Sequence, residues 1–360
     1  MKKQIISLLL LAALLLSMLS GCTGGTAAPT GQRTVTDMLG RTVTIPDDPQ
    51  QICALNPFCA PFVVSFGCGD KMKATVNAIK RDLLIQSICP SLKNAVVVKN
   101  GGVINAEALL ELGVDLIFLE ESTYADDDER AKLDALSIPY IVLRNDTIQQ
   151  AMDSVLLMGE VLGAEERAQA YVQYYQDTLD LVSRTVSAIP EEDRPTLYHS
   201  VNEATRTDYS GSITAEWISY TGAKNVSLSA PLTMEGSSAY TTLEQIFVWD
   251  PQIIICNEPG VAEYILTDGK WVGLQAVTNG TVYQMPVGIT RWGHPNSVET
   301  PLALLWLTEL LYPEQFDIDL AAGTKQFYQT FFDFELDDDT IAAVLSGDGM
   351  RTPKTQSPGE

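Results

Sequence analysis

The chain has 360 residues and a formal net charge of −23, with 46 Asp and Glu against 23 Lys and Arg. A surface this acidic argues against nucleic acid as a partner and against electrostatic docking on anionic lipid. It does not imply disorder, because 46% of the residues are hydrophobic and the acidic ones are interspersed among them.

The first residues divide like a secretory signal. Lys2 and Lys3 are followed by an apolar stretch over residues 5–19, too short to be read first as a spanning helix. Leu19, Ser20, Gly21 and Cys22 then resemble a lipobox. The resemblance implies a signal peptide over residues 1–21 and a lipid anchor on Cys22, holding the chain outside the cytoplasmic membrane, on a cell surface or in a periplasm. Without the signal, 21 Lys and Arg face 46 Asp and Glu, a net −25. Residues 22–33, rich in Gly and Thr, read as a flexible tether spanning on the order of 20 Å. No later run is long and apolar enough to cross a bilayer.

Besides Cys22 there are five cysteines, at 53, 59, 68, 89 and 256. The count is odd and the spacing matches no zinc pattern, so at least one is free within the chain. Cys53 and Cys256 sit in apolar runs and read as small buried residues.

Alternating Val and Thr on both sides of Asp37-Met-Leu-Gly-Arg41 predict a β-hairpin over residues 34–46. Strands are then expected at 51–55, 73–76, 114–119 and 139–143, alternating with helices at 60–66, 105–112 and 126–136. That alternation implies a mainly parallel sheet covered on both faces. From 147 to 188 the apolar residues recur at helical spacing without proline, which predicts one long helix, or two stacked end to end near Gly163. A second α/β series follows, with strands at 196–198, 252–256 and 281–284 and helices at 214–221, 243–248, 301–311 and 325–332. Both halves carry a similar phrase, at 106–119 and 242–255, each a short helix, a turn with an Asp, and a buried strand. The expected architecture is two doubly wound α/β lobes, 34–146 and 189–345, joined by the 147–188 helix, with a ligand cleft between them and a flexible tail over 346–360.

The hairpin at 37–46, the two helix–Asp–strand units, Tyr220-Thr-Gly-Ala-Lys-Asn225 and Ala276-Val-Thr-Asn-Gly-Thr-Val-Tyr283 resemble the substrate-binding proteins of ABC importers for iron complexes, haem and cobalamin. These are the class III, helical-backbone metal receptors. Trp292-Gly-His-Pro-Asn-Ser-Val-Glu299 resembles a subgroup for iron complexes. The resemblance runs from about residue 34 to 345. It implies a monomeric binding protein with no intrinsic cofactor, working with permease subunits and a cytoplasmic ATPase. It also implies an iron chelate or haem as ligand, and small closure movements about a single rigid connector.

Ligands of open α/β sheets bind beyond the carboxyl ends of the strands. On that rule the first lobe offers Asn56, Phe58, Cys59, Arg81, Tyr124 and Arg144, and the second His199, Tyr209, Arg291, Trp292 and His294. Arg supplies a fork of donors and Tyr a hydroxyl on an aromatic face, both suited to an anionic chelate. His199 and His294, the only histidines, are the candidates for haem iron or cobalt, and Cys59 for a soft metal; none is assigned as a metal ligand. The family also docks on its permease through one acidic residue per lobe, for which Glu107 and Glu216 are the nearest by motif.

No Gly-Xaa-Ser-Xaa-Gly elbow, His-Glu-Xaa-Xaa-His pair or P-loop occurs. A binding protein is therefore expected ahead of a metal-dependent enzyme on the same frame. Cobalamin and oxyanions such as molybdate stay open as alternative ligands.

Overall fold

A computed structural model describes residues 31–352 except Asn296. The expected signal peptide, Cys22 and most of the tether lie outside the described residues. The hairpin pairs β1 (Gln32–Thr36) with β2 (Thr42–Pro46), so its first strand takes in two residues expected to be tether. Asp37 shapes the turn: its carboxylate accepts from the Leu39 and Arg41 amides at 3.0 Å and pairs with the Arg41 guanidinium at 2.6 Å.

The first lobe is built on β3 (Ile52–Ala54), β4 (Met72–Val76), β5 (Val96–Asn100), β6 (Val103–Ile104), β7 (Leu116–Glu120) and β8 (Tyr140–Leu143). They lie in the order β6-β5-β4-β3-β7-β8, parallel except for β6. Its helices are α1 (Cys59–Ser65), α2 (Asn77–Arg81), α3 (Leu83–Ile88), α4 (Ala106–Glu111), α5 (Glu121–Ala125) and α6 (Asp127–Leu136). Alternate residues serve opposite faces. Ile52, Ala54, Leu116 and Phe118 join one core cluster, and Cys53, Leu55, Ile117 and Leu119 the other. Both faces are buried, as a parallel sheet requires.

The connector is two helices, α7 (Ile148–Leu162) and α8 (Glu165–Ser187). Gly163 takes a left-handed conformation (φ +67°) that ends the first, and the helices fold against each other at a corner instead of stacking end to end. They approach so closely there that a Cβ on Gly159 would stand 2.4 Å from that of Ala168. The long connecting helix is therefore the 23-residue α8.

The second lobe carries β9 (Thr196–Ser200), β10 (Arg206–Thr207), α9 (Ile213–Tyr220), β11 (Lys224–Asn225), β12 (Thr233–Glu235), β13 (Ser238–Tyr240), α10 (Leu243–Trp249), β14 (Ile253–Cys256), α11 (Val261–Thr267), α12 (Gln275–Asn279) and β15 (Val282–Gln284). A parallel sheet runs β11-β9-β14-β15, and β10-β13-β12 forms a small antiparallel sheet beside it. Then come α13 (Thr300–Leu311), α14 (Leu320–Phe332) and α15 (Asp338–Ser346). The largest core cluster is continuous from Phe62 of α1 through Tyr171 and Tyr175 of α8 to Leu304 and Phe331. The lobes thus share one core along the connector, which disfavours wide opening.

The repeated phrase is a structural repeat. Asn105 caps α4 by accepting from the Ala108 amide, and Thr242 caps α10 by accepting from Gln245. Gly113 (φ +62°) and Asp250 (φ +42°) close the two helices in the left-handed conformation. This sets Asn105 against Thr242 and Glu107 against Glu244, one residue away from aligning 106 with 242.

The expected tail over 346–360 is corrected at its start. Met350–Thr352 is docked: the Leu83 amide donates to Met350 O at 2.9 Å, and the Thr352 amide donates to Arg81 O at 2.8 Å. Residues 353–360 lie outside the described residues.

Candidate functional site

The carboxyl ends of the two parallel sheets face each other, as the topology requires. At one side of this gap lies a cavity of about 470 Å³. Glu120, Ser122, Asn145 and Asp146 line it from the first lobe; Arg206, Thr207, Asp208, Tyr209, Ser212, Thr214, Ser237 and His294 line it from the second. Its wall is mainly hydroxyls, amides and charges, with one aromatic ring, Tyr209. Asn145 Nδ2 donates to Pro295 O at 3.1 Å and joins the lobes beside it. The first turn of α9 opens on the cavity, capped by Ser212, whose Oγ accepts from the Ala215 amide at 3.2 Å. A helix start presents partial positive charge.

The opposite side of the gap is closed by ion pairs. Arg81 Nη2 reaches Glu258 Oε1 at 2.8 Å, and Arg291 Nη1 reaches Glu258 Oε2 at 2.6 Å. Arg351 Nη1 donates to Asp82, and Arg351 Nε stands 3.9 Å from Glu258 Oε2. Burial would raise the Glu258 pKa, but Arg291, Arg81 and Arg351 hold it below the usual carboxylate range. Burial and then the Arg351 charge push the Arg291 guanidinium down. His294 lies between the ion pairs and the cavity. Burial first, then the positive charges of Arg291, Arg351 and Arg206, holds its pKa well below the ordinary histidine value. The ion-paired side therefore carries three guanidiniums against two carboxylates, while the cavity lining carries Arg206 against Glu120, Asp146 and Asp208.

Of the residues expected at the ligand, Tyr209 and His294 line the cavity. The others serve elsewhere. Asn56 is buried, donates from Nδ2 to Glu120 Oε2 at 2.5 Å and accepts from the Phe58 amide at 2.6 Å, which fixes the first loop. Phe58 and Cys59 are in the core beneath it. Cys59 is 1% exposed, and burial, then the Glu120 charge, push its thiol well up. Tyr124 packs beneath the guanidiniums of Arg41 and Arg130, at 4.8 and 5.3 Å, on the hairpin side. Arg144 forms an ion pair with Glu121 at 2.7 Å.

His199 is fully buried, its Nδ1 at 3.0 and 3.1 Å from the two carboxylate oxygens of Asp208. Asn225 Nδ2 donates to the same carboxylate at 2.8 Å. His199 thus serves Asp208 from within the wall. Arg81 and Arg291 are held by Glu258, and Asn202 also accepts from Arg291. Trp292 is enclosed in the core. The adjoining loop is fixed by Glu299, whose carboxylate accepts from the Ile289 amide at 2.7 Å, the Thr290 amide at 2.8 Å and the Thr290 and Tyr328 hydroxyls.

Arg206, Asp208, Ser212, Thr214 and Asn145 were not foreseen from sequence. Arg206 and Thr207 form a two-residue strand, too short for any periodicity to register. Among the described residues no group of three or more His, Cys, Asp or Glu could hold a metal ion.

The known proteins agree with this geometry. A family model described as periplasmic binding protein matches residues 69–287. The molybdate-binding protein MolA of Haemophilus influenzae is 26% identical over 351 residues, covering 90% of this chain and 95% of that one. The Bacillus subtilis ABC transporter substrate-binding lipoprotein YvrC is 25% identical over 289 residues, covering 79% of this chain and 86% of its own. The crystal structure of a periplasmic solute-binding protein from Veillonella parvula superimposes with a TM-score of 0.76 at 26% identity, over 88% of this chain and 97% of the other.

Proposed function

This chain belongs to the periplasmic binding protein family, the solute-binding components of ABC importers, and from that premise we propose that its cargo is a compact hydrophilic oxyanion of the molybdate type. The observation that carries the reading is the polar cavity, with Arg206 and the start of α9 on its lining beside the cluster of Arg81, Arg291 and Arg351. Arg206, Tyr209 and the start of α9 line it, while Asp208 is occupied by His199 and Asn225, and the Thr207 and Ser212 hydroxyls donate to His199 O and Tyr209 O. Buried donors with fixed geometry recognise an oxyanion without a metal. The relative named for molybdate binding supports the same choice.

A ferric chelate, the ligand that the sequence resemblance implies, is the second reading. What favours it is the cavity volume of about 470 Å³, room for a ligand much larger than a tetrahedral anion. Calorimetry of the ligand-free protein against molybdate, tungstate, sulfate, ferric siderophores and haem separates the two. Heat with molybdate or tungstate is expected; binding of a ferric chelate with none of the oxyanions would replace the first reading with the second.

The protein acts as a monomer, tied to the membrane outside the cytoplasm through Cys22 and handing its cargo to a permease driven by a cytoplasmic ATPase. A short tether raises the effective concentration of the receptor at that permease. Docking uses one carboxylate per lobe. Glu107 is exposed in the first turn of α4, and its counterpart in the structural repeat is Glu244, exposed in the first turn of α10. Glu216 is withdrawn from that role, because it is half-buried and one oxygen accepts from the Ile148 amide at 2.8 Å.

A further inference from the structure

The C-terminal segment touches both lobes. Val344 O of α15 accepts from the Val287 amide at 3.0 Å, which fixes the helix to the second lobe just beyond β15. The chain leaves through Gly347 (φ +78°), where a Cβ would stand 2.5 Å from Met285 O. It then reaches the first lobe. Backbone hydrogen bonds at Leu83 and Arg81 hold Met350 and Thr352, and Arg81 Nε donates to Thr352 O at 3.0 Å. Between those two anchors the Arg351 side chain, 8% exposed, turns into the gap between the lobes.

There it meets one carboxylate from each side. Its Nη1 donates to Asp82 of the first lobe, and its Nε is 3.9 Å from Glu258 of the second. Asp82 is itself buried and directly follows Arg81 in the chain. A buried carboxylate without a cation is strongly disfavoured, so Asp82 without Arg351 must take up a proton or find another partner. Arg81 is the neighbouring one, and Arg81 is the residue that crosses the gap to Glu258 at 2.8 Å.

We propose that residues 350–352 form a strap that sets the separation of the two lobes, with Arg351 as the positioning residue. By neutralising Asp82, Arg351 leaves Arg81 available for Glu258, so the ion pair across the gap depends on a residue from the far end of the chain. Loss of the strap, by substitution or by proteolytic trimming to Gly349, releases Arg81 to Asp82 and loosens the closed side of the cleft. This inference does not depend on which ligand is bound.

The test is an interlobe distance in the ligand-free full chain. Nitroxides on Glu111→Cys and Val248→Cys, both exposed positions in opposite lobes, are measured by double electron–electron resonance in four backgrounds. Arg351 intact should give one narrow distance; Arg351→Ala, or a chain ending at Gly349, should give a broadened or longer one. Arg351→Lys should recover most of the narrow component. Hydrogen exchange at the Leu83 amide, which donates to Met350 O, is followed in parallel, and unchanged circular dichroism establishes that each variant is folded. Should truncation prevent folding, Arg351→Gln in the full chain carries the same test. Faster exchange at Leu83 with an unchanged distance would mean that the segment only covers α3, and would overturn the strap. A distance as broad in the intact chain as in Arg351→Ala would overturn it equally.

Discussion

Arg81 and Glu258 meet at 2.8 Å across the gap between the lobes, and the same carboxylate also holds Arg291 at 2.6 Å. One acidic side chain therefore holds two guanidiniums, one from each lobe. Glu258→Gln leaves both without their counter-charge, and a loss of about 3 kcal/mol is expected in urea denaturation. The pH dependence has a definite sign. Glu258 is held below its unfolded value, so its contribution is complete above the unfolded pKa and is lost as pH falls through the folded one. Acid titration of the wild type should show that loss, and the Gln variant should lack it.

Glu299 carries the opposite sign. Burial raises its pKa to about 7 against the hydrogen bonds that favour its charged form. A carboxyl raised in this way stabilises the fold fully below its unfolded pKa, and that contribution is lost as pH rises through about 7. The Thr290 hydroxyl can turn to Ser297 Oγ, 2.8 Å away, when the carboxyl is protonated. Melting curves from pH 4.5 to 8 should fall with pH by the equivalent of roughly 2–3 kcal/mol. Glu299→Gln should melt lower but show a flatter profile. A wild-type melting temperature that rises across this range would contradict the assignment.

Arg206 and Arg291 are both arginines of the cleft, but they should respond differently. Arg206 faces the cavity and is only partly buried, so Arg206→Ala should weaken oxyanion binding at least tenfold, about 1.4 kcal/mol, with little change in melting temperature. Arg291→Ala takes one of its two close guanidinium partners from the buried Glu258 and should lower the melting temperature. Calorimetry and a thermal melt on the same two samples distinguish them.

For docking, Glu107→Arg and Glu244→Arg should each lower uptake in vesicles carrying the permease while leaving ligand affinity unchanged. Glu216→Ala should instead cost about 1 kcal/mol of stability, the usual scale for losing a helix cap, because the first amide of α7 loses its acceptor.

Much of the fold was legible because burial is periodic. The strands at 114–119 and 252–256 hold the apolar runs 116–119 and 253–256 and reappear as β7 and β14. The corner at Gly163 was readable as a break, but its angle is set by Gly159 packing on Ala168, a contact that no local pattern encodes. The site was less legible. Arg291 and Trp292 were placed by their position beyond a strand, yet what each does depends on residues far away in sequence, Glu258 for one and the packed core for the other. Arg351 falls in a stretch with no apolar periodicity, and its partners Asp82 and Glu258 lie 269 and 93 positions earlier. Local composition cannot report such pairings.

Cys53, Cys59, Cys68, Cys89 and Cys256 are all free and all buried. A chain that folds outside the cytoplasm does so where exposed thiols oxidise. Its five interior thiols are protected only once the sheets and helices have closed over them, so successful maturation is a race between collapse and oxidation. Among the described residues no disulfide holds the fold, and oxidation of those thiols before closure would work against it.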